Sequence, residues 1–159
     1  MLDKIILDAL NEQLTVERMN AANYDALSAA CDVAYWPGAM AWMHAAADDE
    51  RQHAQKIAAY IVDRDGVPVY QPLGQPVAIN AETLTPAFEA ALRLETATTE
   101  AIKSLYYTAE TAEDPQTHQF LLWFLEEQTE SEAVLRDYLL MLRRLDNNGK
   151  LLFDAGLLK

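Results

Sequence analysis

Apolar residues recur along most of this chain at alternating steps of three and four, which is the spacing of one buried face of an α-helix. The pattern predicts four long helices, with apolar stripes over residues 10–31, 43–60, 84–105 and 121–142. Near the middle of each stripe lies a polar side chain of a metal-binding type, in order Glu17, then Glu50 and His53, then Glu95, then Glu127 and Gln128. A carboxylate on a buried face is costly to desolvate and persists only when paired or bound to a cation. These positions, one set per helix, predict a shared metal site.

Residues that start and stop helices set the approximate boundaries of these segments. Asp3 can cap the first helix, Pro37 suits the first turn of the second, and Pro115 opens the fourth. Gly66 is expected to end the second helix, and Asn147–Gly149 are expected to end the fourth. The predicted helices cover about residues 3–35, 37–65, 85–111, 115–145 and 149–158.

One long connection sets the predicted topology. Residues 66–84 hold three prolines and two glycines and show no helical period. Because a connection of this length can span the height of a bundle, the third helix is expected to start at the far end. The predicted fold class is all-α, an antiparallel four-helix bundle with one long crossover connection and a short C-terminal fifth helix. We expect a single domain over residues 1–159, with the bundle over about 3–145 and the fifth helix over about 149–158.

The apolar C-terminal segment, KLLFDAGLLK, raises a separate question. The bundle offers it no obvious face to cover, and a monomer would be left with an exposed apolar surface, which soluble proteins generally avoid. Either the segment folds back onto the end of the bundle, or it is buried between subunits. Burial between subunits is the interpretation that we favour from the sequence.

Composition narrows the function further. The formal net charge of −13 and the pI near 4.4 argue against binding to nucleic acid or to an anionic membrane surface, and favour cations as partners. No apolar run approaches the ~20 residues of a membrane span, and no basic leader precedes the first helical segment. The single cysteine, Cys31, cannot form an internal disulfide and lies on an apolar stripe, which predicts an inert buried thiol. A cytoplasmic location is the resulting expectation.

The candidate ligands agree in height as well as in direction. Each lies about a dozen residues into its helix, or about 18 Å along the axis, so an antiparallel bundle brings them into one layer. Glu50 and His53 form a Glu-x-x-His pair on one helix face. Several carboxylates with one imidazole suit iron or manganese, which favour oxygen donors. Tyr24 lies on the same face as Glu17, where its phenol has a carboxylate partner.

These motifs resemble those of the non-haem bacterial ferritins over essentially the whole chain. The resemblance rests on NEQLTVE (11–17), DDERQHAQ (48–55), LRLET (92–96), FLEEQTESE (124–132) and NNGKLLFD (147–154). It implies a five-helix subunit, a homo-oligomeric shell of 24 subunits and a dinuclear ferroxidase centre inside each bundle. The implied function is iron storage with ferroxidase activity, in which Fe(II) is oxidised by dioxygen or peroxide and kept as a ferric mineral.

The resemblance also implies a role for each ligand candidate. The residues implied at one iron are Glu17, Glu50 and His53, with Glu50 as the bridge. Those implied at or near the second iron are Glu50, Glu95, Glu127 and Gln128, with Tyr24 as a hydrogen-bond donor close by. Two roles are open for Gln128, either as a metal ligand or as a hydrogen-bond partner of a metal ligand.

A third iron site is implied more weakly. Its residues are Asp49, Glu127 and Glu130, but Ser131 stands where many bacterial ferritins carry a further glutamate. Glu130, Asp49 and Glu132 are also explained more simply as a solvated face of the bundle.

Departures from related families exclude some functions. Arg51 or Gln52 stands where bacterioferritins carry a haem-ligating methionine, so no haem is expected. Rubrerythrin-like di-iron peroxidases or oxidases carry a second Glu-x-x-His on the last bundle helix, where this chain has Glu127-Gln-Thr-Glu130. A non-catalytic iron-storage subunit is the other alternative, and it would be marked by missing ligands.

Overall fold

The computed structural model describes residues 2–158, and within them it contains five α-helices. These are α1 (Lys4–Val33), α2 (Pro37–Asp63), α3 (Leu84–Thr111), α4 (Pro115–Leu142) and α5 (Asn147–Gly156). The predicted boundaries therefore hold to within a few residues. None of the helices in this part of the chain is long and apolar enough to span a membrane.

Two apolar clusters fill the bundle, one toward each end. The first joins the end of α1, the starts of α2 and α3, and the end of α4, through residues such as Leu27, Met43, Phe88 and Leu139. The second joins the opposite ends of the same helices. Because the starts of α2 and α3 share a cluster, these two helices run parallel and the connection between them crosses the whole bundle. The prediction of one long crossover is confirmed.

Side chains of α1 and of the turn that follows it hold the crossover by binding its backbone. Such contacts satisfy peptide groups in a segment without regular secondary structure. In chain order they join Asn11 Oδ1 to Val69 N (2.6 Å), Arg18 Nη1 to Gln71 O (2.9 Å), Asn23 Oδ1 to Val77 N (2.9 Å) and Trp36 Nε1 to Ala81 O (3.1 Å).

Gly66 does not supply the left-handed stop that was predicted for α2. The residue with positive φ is Asp65 (φ 59°), a residue type that visits this region more readily than most. Gly66 follows it and donates its N–H to Ile61 O at 2.8 Å. A Cβ at Gly66 would lie 2.8 Å from Ile61 Cγ2 and 2.9 Å from Leu7 Cδ1, so the glycine is needed for close packing.

The prediction that Asn147–Gly149 end α4 is also wrong. Helix α4 ends at Leu142, and Asn147–Gly149 form the first turn of α5. The cap of α5 is Asp146, whose carboxylate accepts a hydrogen bond from Gly149 N at 2.7 Å. Because an aspartate cap satisfies N–H groups that a first turn leaves free, it outweighs the poor helix propensity of asparagine and glycine.

Helix α5 is only partly without a partner. Asp154 is buried and accepts hydrogen bonds from Gly38 N (3.1 Å) and Ala39 N (2.7 Å), which caps the start of α2. Phe153 packs against the first apolar cluster. The expectation that this segment has no bundle face to cover is therefore wrong for its inner side. Its outer side remains apolar and exposed through Leu151, Leu152 and Leu158.

The thiol of Cys31 belongs to the first apolar cluster. Burial, with a smaller contribution from Asp154, raises the pKa of Cys31 to about 11. The group therefore stays protonated at neutral pH, as the sequence predicted for an inert core cysteine.

Candidate metal centre

A layer of polar side chains separates the two apolar clusters, and its centre is formed by Glu17, Glu50 and His53. One ligand atom from each of these three residues lies within 4.8 Å of the others. Within residues 2–158 they are the one group of three potential ligands with this geometry. Helix α1 supplies Glu17, and a single turn of α2 supplies both Glu50 and His53. Mid-helix positions on facing stripes therefore meet, as the sequence predicted.

The imidazole of His53 is oriented by its surroundings. Its Nδ1 atom lies 3.3 Å from Glu50 Oε2 and 4.0 Å from Glu17 Oε2. The ring packs edge-on against Trp123 and Phe124, with centroid distances of 5.5 and 5.8 Å. Because these aromatic contacts hold the rest of the ring, Nδ1 is the nitrogen that faces the carboxylates.

The two carboxylates of this group are poorly satisfied without a cation. Glu17 Oε1 accepts a hydrogen bond from Gln13 Nε2 at 2.8 Å, whereas Glu17 Oε2 is buried and has no hydrogen-bond partner. Burial, and then the neighbouring Glu50, raise the pKa of Glu17 well above its usual value. Burial likewise raises the pKa of Glu50 to about 8. Such a pair holds a proton at neutral pH until a cation replaces it.

The third carboxylate of this layer, Glu95 of α3, has a different environment. Its Oε1 atom accepts a hydrogen bond from the Tyr24 hydroxyl, and its Oε2 atom accepts one from Gln128 Nε2 at 2.8 Å. Burial, together with Glu95, raises the pKa of Tyr24 well above its usual value, so the phenol keeps its proton and acts as the donor. Residues from α1 and α4 therefore fix Glu95 from two sides.

A pocket of about 260 Å³ connects this layer to the surface. Glu50, His53 and Glu95 lie at its inner end. The other acidic residues predicted from the sequence also line it, with Glu127 partly buried and Asp49 and Glu130 exposed. Ser131 lines the same pocket. The structure thus brings Asp49, Glu127 and Glu130 to the mouth of the site, but not into the close group, and their metal-binding role stays a prediction.

Two amide side chains that sequence reasoning missed support the close group from α1. Gln13 donates to Glu17, and Asn20 Nδ2 lies 3.5 Å from Glu50 Oε1 and 2.6 Å from Thr98 Oγ1. Helical spacing could have identified both residues, because Gln13 is four residues before Glu17 and Asn20 is three residues after it, which places them on the same helix face.

Glu132 is the clearest departure from the sequence interpretation. It was assigned to a solvated face, yet it is only 8% exposed. Its carboxylate accepts hydrogen bonds from Thr99 of α3 and Arg136 of α4. Glu132 is buried because it packs against α3, and the polar residues next to it in α4 give no sign of this contact in the sequence. Asp49 and Glu130, which were grouped with it, are exposed as that interpretation required.

Comparison with known proteins identifies the family. The sequence profile of the ferritin-like domain matches residues 7–145, which is most of the chain. The chain belongs to the ferritin family. The predicted resemblance is confirmed, and with it the assignment to a family of iron storage proteins.

Relatives of this ferritin-family chain match over nearly its full length. The bacterial non-heme ferritin of Staphylococcus aureus (strain MRSA252) is 33% identical over 159 residues, covering 99% of this chain and 95% of that protein. The bacterial non-heme ferritin of Staphylococcus saprophyticus is 33% identical over 153 residues, covering 96% and 91%.

Solved ferritin structures confirm the fold. An open-pore ferritin from the archaeon Archaeoglobus fulgidus superimposes with a TM-score of 0.95 at 27% identity, covering 99% of this chain and 98% of that one. Chlorobium tepidum ferritin gives a TM-score of 0.87 at 31% identity, covering 96% and 93%. The predicted fold class, an all-α bundle with a fifth helix, is therefore confirmed.

Proposed function

We propose that this protein is an iron storage protein with ferroxidase activity, one ferritin-like domain over residues 1–159. It oxidises Fe(II) to Fe(III) at a dinuclear centre within each subunit and stores the product as a ferric mineral inside a shell of 24 subunits. The observation that carries the proposal is the unsatisfied buried oxygen of Glu17 in a group with Glu50 and His53. A buried carboxylate in this state is stabilised by a cation.

The placement of the side chains supports the following assignment of ligands. The first Fe(II) is held by Glu17, Glu50 and His53 Nδ1, and Glu50 bridges to the second. The second Fe(II) is held by Glu50 and Glu95, with Glu127 at the pocket and Gln128 hydrogen-bonded to Glu95. Oxygen donors with a single imidazole match the preference of iron. Two metal ions held by a shared carboxylate commonly lie about 3.5–4 Å apart, so one oxidant can contact both.

Electron balance sets the stoichiometry of the reaction. Two Fe(II) ions give one electron each, and one dioxygen molecule takes up both and is reduced to the level of peroxide. If peroxide is the oxidant, the same two electrons cleave its O–O bond and give water. Anionic oxygen ligands stabilise Fe(III) more than Fe(II), which favours oxidation. The proton that this buried pair of carboxyl groups retains leaves when the first Fe(II) binds, because both carboxylates are then needed as anions.

The exposed side of α5 supports assembly into a shell. Leu151, Leu152 and Leu158 are 58%, 75% and 58% exposed in the isolated subunit. Burying each such side chain is worth roughly 1.5–3 kcal/mol, and rotated copies can each supply the same patch to a closed ring. The acidic net charge of −13 draws cations rather than nucleic acid or anionic lipid to the assembly. We place the protein in the cytoplasm and expect no haem.

Stopped-flow oxidation of two Fe(II) per subunit tests the activity, with the variant Glu50→Ala beside the unmodified protein. Because Glu50 serves both irons, its loss should lower the initial rate by at least about 100-fold while circular dichroism shows an intact bundle. The matched control is Glu126→Ala, which removes an exposed carboxylate of α4 and should leave the rate unchanged. A near-native rate in the Glu50 variant would overturn the assignment.

The alternatives give different outcomes in the same preparation. A rubrerythrin-like peroxidase or oxidase would elute from a sizing column as a small oligomer, about twelvefold lighter than a shell if it is a dimer. A non-catalytic storage subunit would elute as a shell yet oxidise Fe(II) no faster than buffer.

A further inference from the structure

A buried carboxylate outside the candidate ligand set lies one turn after Gln128 on α4. Glu132 is 8% exposed, and its Oε1 atom accepts a hydrogen bond from Thr99 Oγ1 at 2.5 Å. Its other oxygen pairs with Arg136, whose side chain is 60% exposed. A buried charge is costly and persists only when it is paired. The partners of Glu132 therefore indicate its role.

The hydroxyl of Thr99 has a single proton and two candidate acceptors. These are Glu132 Oε1 at 2.5 Å and the backbone oxygen of Glu95 at 3.0 Å. The carboxylate is charged and closer, so it is the stronger acceptor and receives the hydrogen bond. The lone pairs of Thr99 Oγ1 are then free to accept from a donor on the other side. Gln128 Nε2 lies there, at 3.4 Å.

The orientation of the Gln128 amide follows from its neighbours. Its Nε2 atom is 3.1 Å from the backbone oxygen of Glu95 and 2.8 Å from Glu95 Oε2. Both of those atoms act as acceptors, so the nitrogen must face Glu95. The amide oxygen is thereby turned away from Glu95. This orientation commits the N–H group of Gln128 to Glu95, so Gln128 holds that carboxylate.

We propose that Glu132 is a positioning residue for the second iron, acting through Thr99 on Gln128. Glu132 accepts the hydrogen bond of the Thr99 hydroxyl, which leaves that hydroxyl as an acceptor toward Gln128. The Gln128 amide is thereby held with its nitrogen on Glu95. Glu95 is therefore in place before the metal binds. This inference rests on the proposed dinuclear centre.

The effect of Glu132 is confined to one half of the centre. The series of contacts runs from Glu132 through Thr99 and Gln128 to Glu95. Glu17 and His53 have no contact in this series, and their neighbours are Gln13, Glu50 and the aromatic side chains of α4. A disturbance at Glu132 should therefore weaken the second metal and spare the first.

Titration of the iron-free protein with Co(II) tests this, since Co(II) occupies such sites without being oxidised in the assay. Calorimetry separates the affinities of the two ions, and the visible absorption of Co(II) reports the ligands of each. The test variants are Glu132→Leu and Thr99→Val, and Thr99→Val keeps the shape of the side chain should the first variant fold poorly. Matched controls are Glu126→Leu on α4 and Thr96→Val on α3, both at exposed positions.

We expect the first Co(II) to bind as in the unmodified protein and the second to bind about 10- to 100-fold more weakly, the usual loss when a partner of a metal ligand is removed. The absorption of the second ion should change, and both controls should leave it unaltered. Thr99→Ser and Glu132→Gln, which keep the hydroxyl and an acceptor oxygen, should recover most of the affinity. A positioning role predicts this recovery, whereas simple loosening of the bundle does not.

The outcomes separate this inference from the proposed function. Two Co(II) ions with unchanged affinities in both test variants would overturn the role of Glu132 alone. Equal weakening of both ions would also overturn it, because that result indicates general destabilisation. A single Co(II) per subunit in the unmodified protein would overturn the dinuclear centre itself, and the role of Glu132 with it.

Discussion

The two halves of the proposed metal centre differ in what satisfies their carboxylates. In the half formed by Glu17, Glu50 and His53, one buried oxygen of Glu17 has no hydrogen-bond partner. In the other half, both oxygens of Glu95 accept hydrogen bonds, from Tyr24 and Gln128. A cation that enters the first half gives the unpartnered Glu17 oxygen a partner. A cation that enters the second half binds carboxylate oxygens that already accept hydrogen bonds. We therefore expect a tight first site and a weaker second site that empties more readily.

The largest effect is expected from Glu17→Gln, which removes the unsatisfied oxygen and keeps the shape of the side chain. Losing a direct ligand should weaken the first Co(II) by more than the roughly 10- to 100-fold that follows loss of an outer partner. The iron-free protein should meanwhile become more stable by roughly 1–3 kcal/mol, because an amide N–H group replaces the unpartnered oxygen and the Glu50 carboxylate beside it can accept a hydrogen bond. Calorimetry and thermal unfolding measure both quantities. Glu12→Gln, at an exposed position of α1, is the control. A variant that binds the first ion normally would show that the unpartnered oxygen of Glu17 is not needed for metal binding.

The next effect is a pH dependence that belongs to the first half. Burial raises the pKa of Glu50 from 4.5 to about 8, so the folded iron-free protein keeps a proton that the unfolded chain has released. The stability that this proton contributes is fully present below the unfolded pKa and is lost as the pH rises through about 8. Thermal unfolding of the iron-free protein should therefore show stability falling by roughly a few kcal/mol between about pH 5 and about pH 8.

Glu50→Gln serves as the comparison in that experiment, because its side chain does not titrate. The slope should become shallower, and the part that remains belongs to Glu17, whose pKa burial also raises. Saturating Co(II) should remove the decline, since metal binding displaces protons and strengthens as the pH rises. An iron-free protein whose stability increases over the same range would contradict the retained proton.

A smaller effect is expected in the second half from Tyr24→Phe, which removes the donor to Glu95 Oε1. The second Co(II) should bind about tenfold more weakly while the first is unaffected. Tyr138→Phe is a matched control, because Tyr138 is a partly buried tyrosine that contacts the aromatic cluster at Trp42 rather than Glu95. Equal losses for the two variants would mean that packing, and not the hydrogen bond to Glu95, sets the affinity.

The sequence reveals the first half of the centre more completely than the second. Stripe periodicity alone places Glu17, Glu50 and His53 on facing helices, because mid-helix height and direction follow from helical geometry. The partners of Glu95 are harder to find, since they depend on which side chains of α3 and α4 meet. Glu132 resembles a solvated residue in sequence and becomes buried only because Thr99 faces it.

Local signals misled the sequence interpretation at the end of α4 and in the packing of α5, for a related reason. Asn147–Gly149 could end one helix or begin the next, and the choice falls to the aspartate immediately before them. Asp154 lies in an apolar tail, and its partners at Gly38 and Ala39 are more than a hundred residues away in the chain. Contacts over such separations have no periodic pattern that a single sequence can show.

The smallest effect is expected at the mouth of the pocket, which adjoins both halves. Ser131→Glu adds a carboxylate beside Asp49, Glu127 and Glu130, residues that already line the pocket. Crystals soaked briefly in Fe(II) should show a poorly occupied third metal in the unmodified protein and a better occupied one in the variant, with two full sites in both. Replacing the exposed Ser104 of α3 by glutamate gives the control. Full occupancy of a third metal without the substitution would show that Ser131 does not limit it.

The hydrogen bonds from Gly38 and Ala39 to Asp154 have a consequence for how copies of the chain associate. They lock the inner side of α5 onto α2, so the exposed Leu151 and Leu152 already point in a fixed direction in a free subunit. Association then loses less conformational freedom than it would with a loose tail, because the ordering has occurred during folding. A Cβ at Gly38 would lie 1.8 Å from the Asp154 carbonyl oxygen, so one added methyl group displaces α5. The glycine at the start of α2 thus controls a surface that it does not itself form.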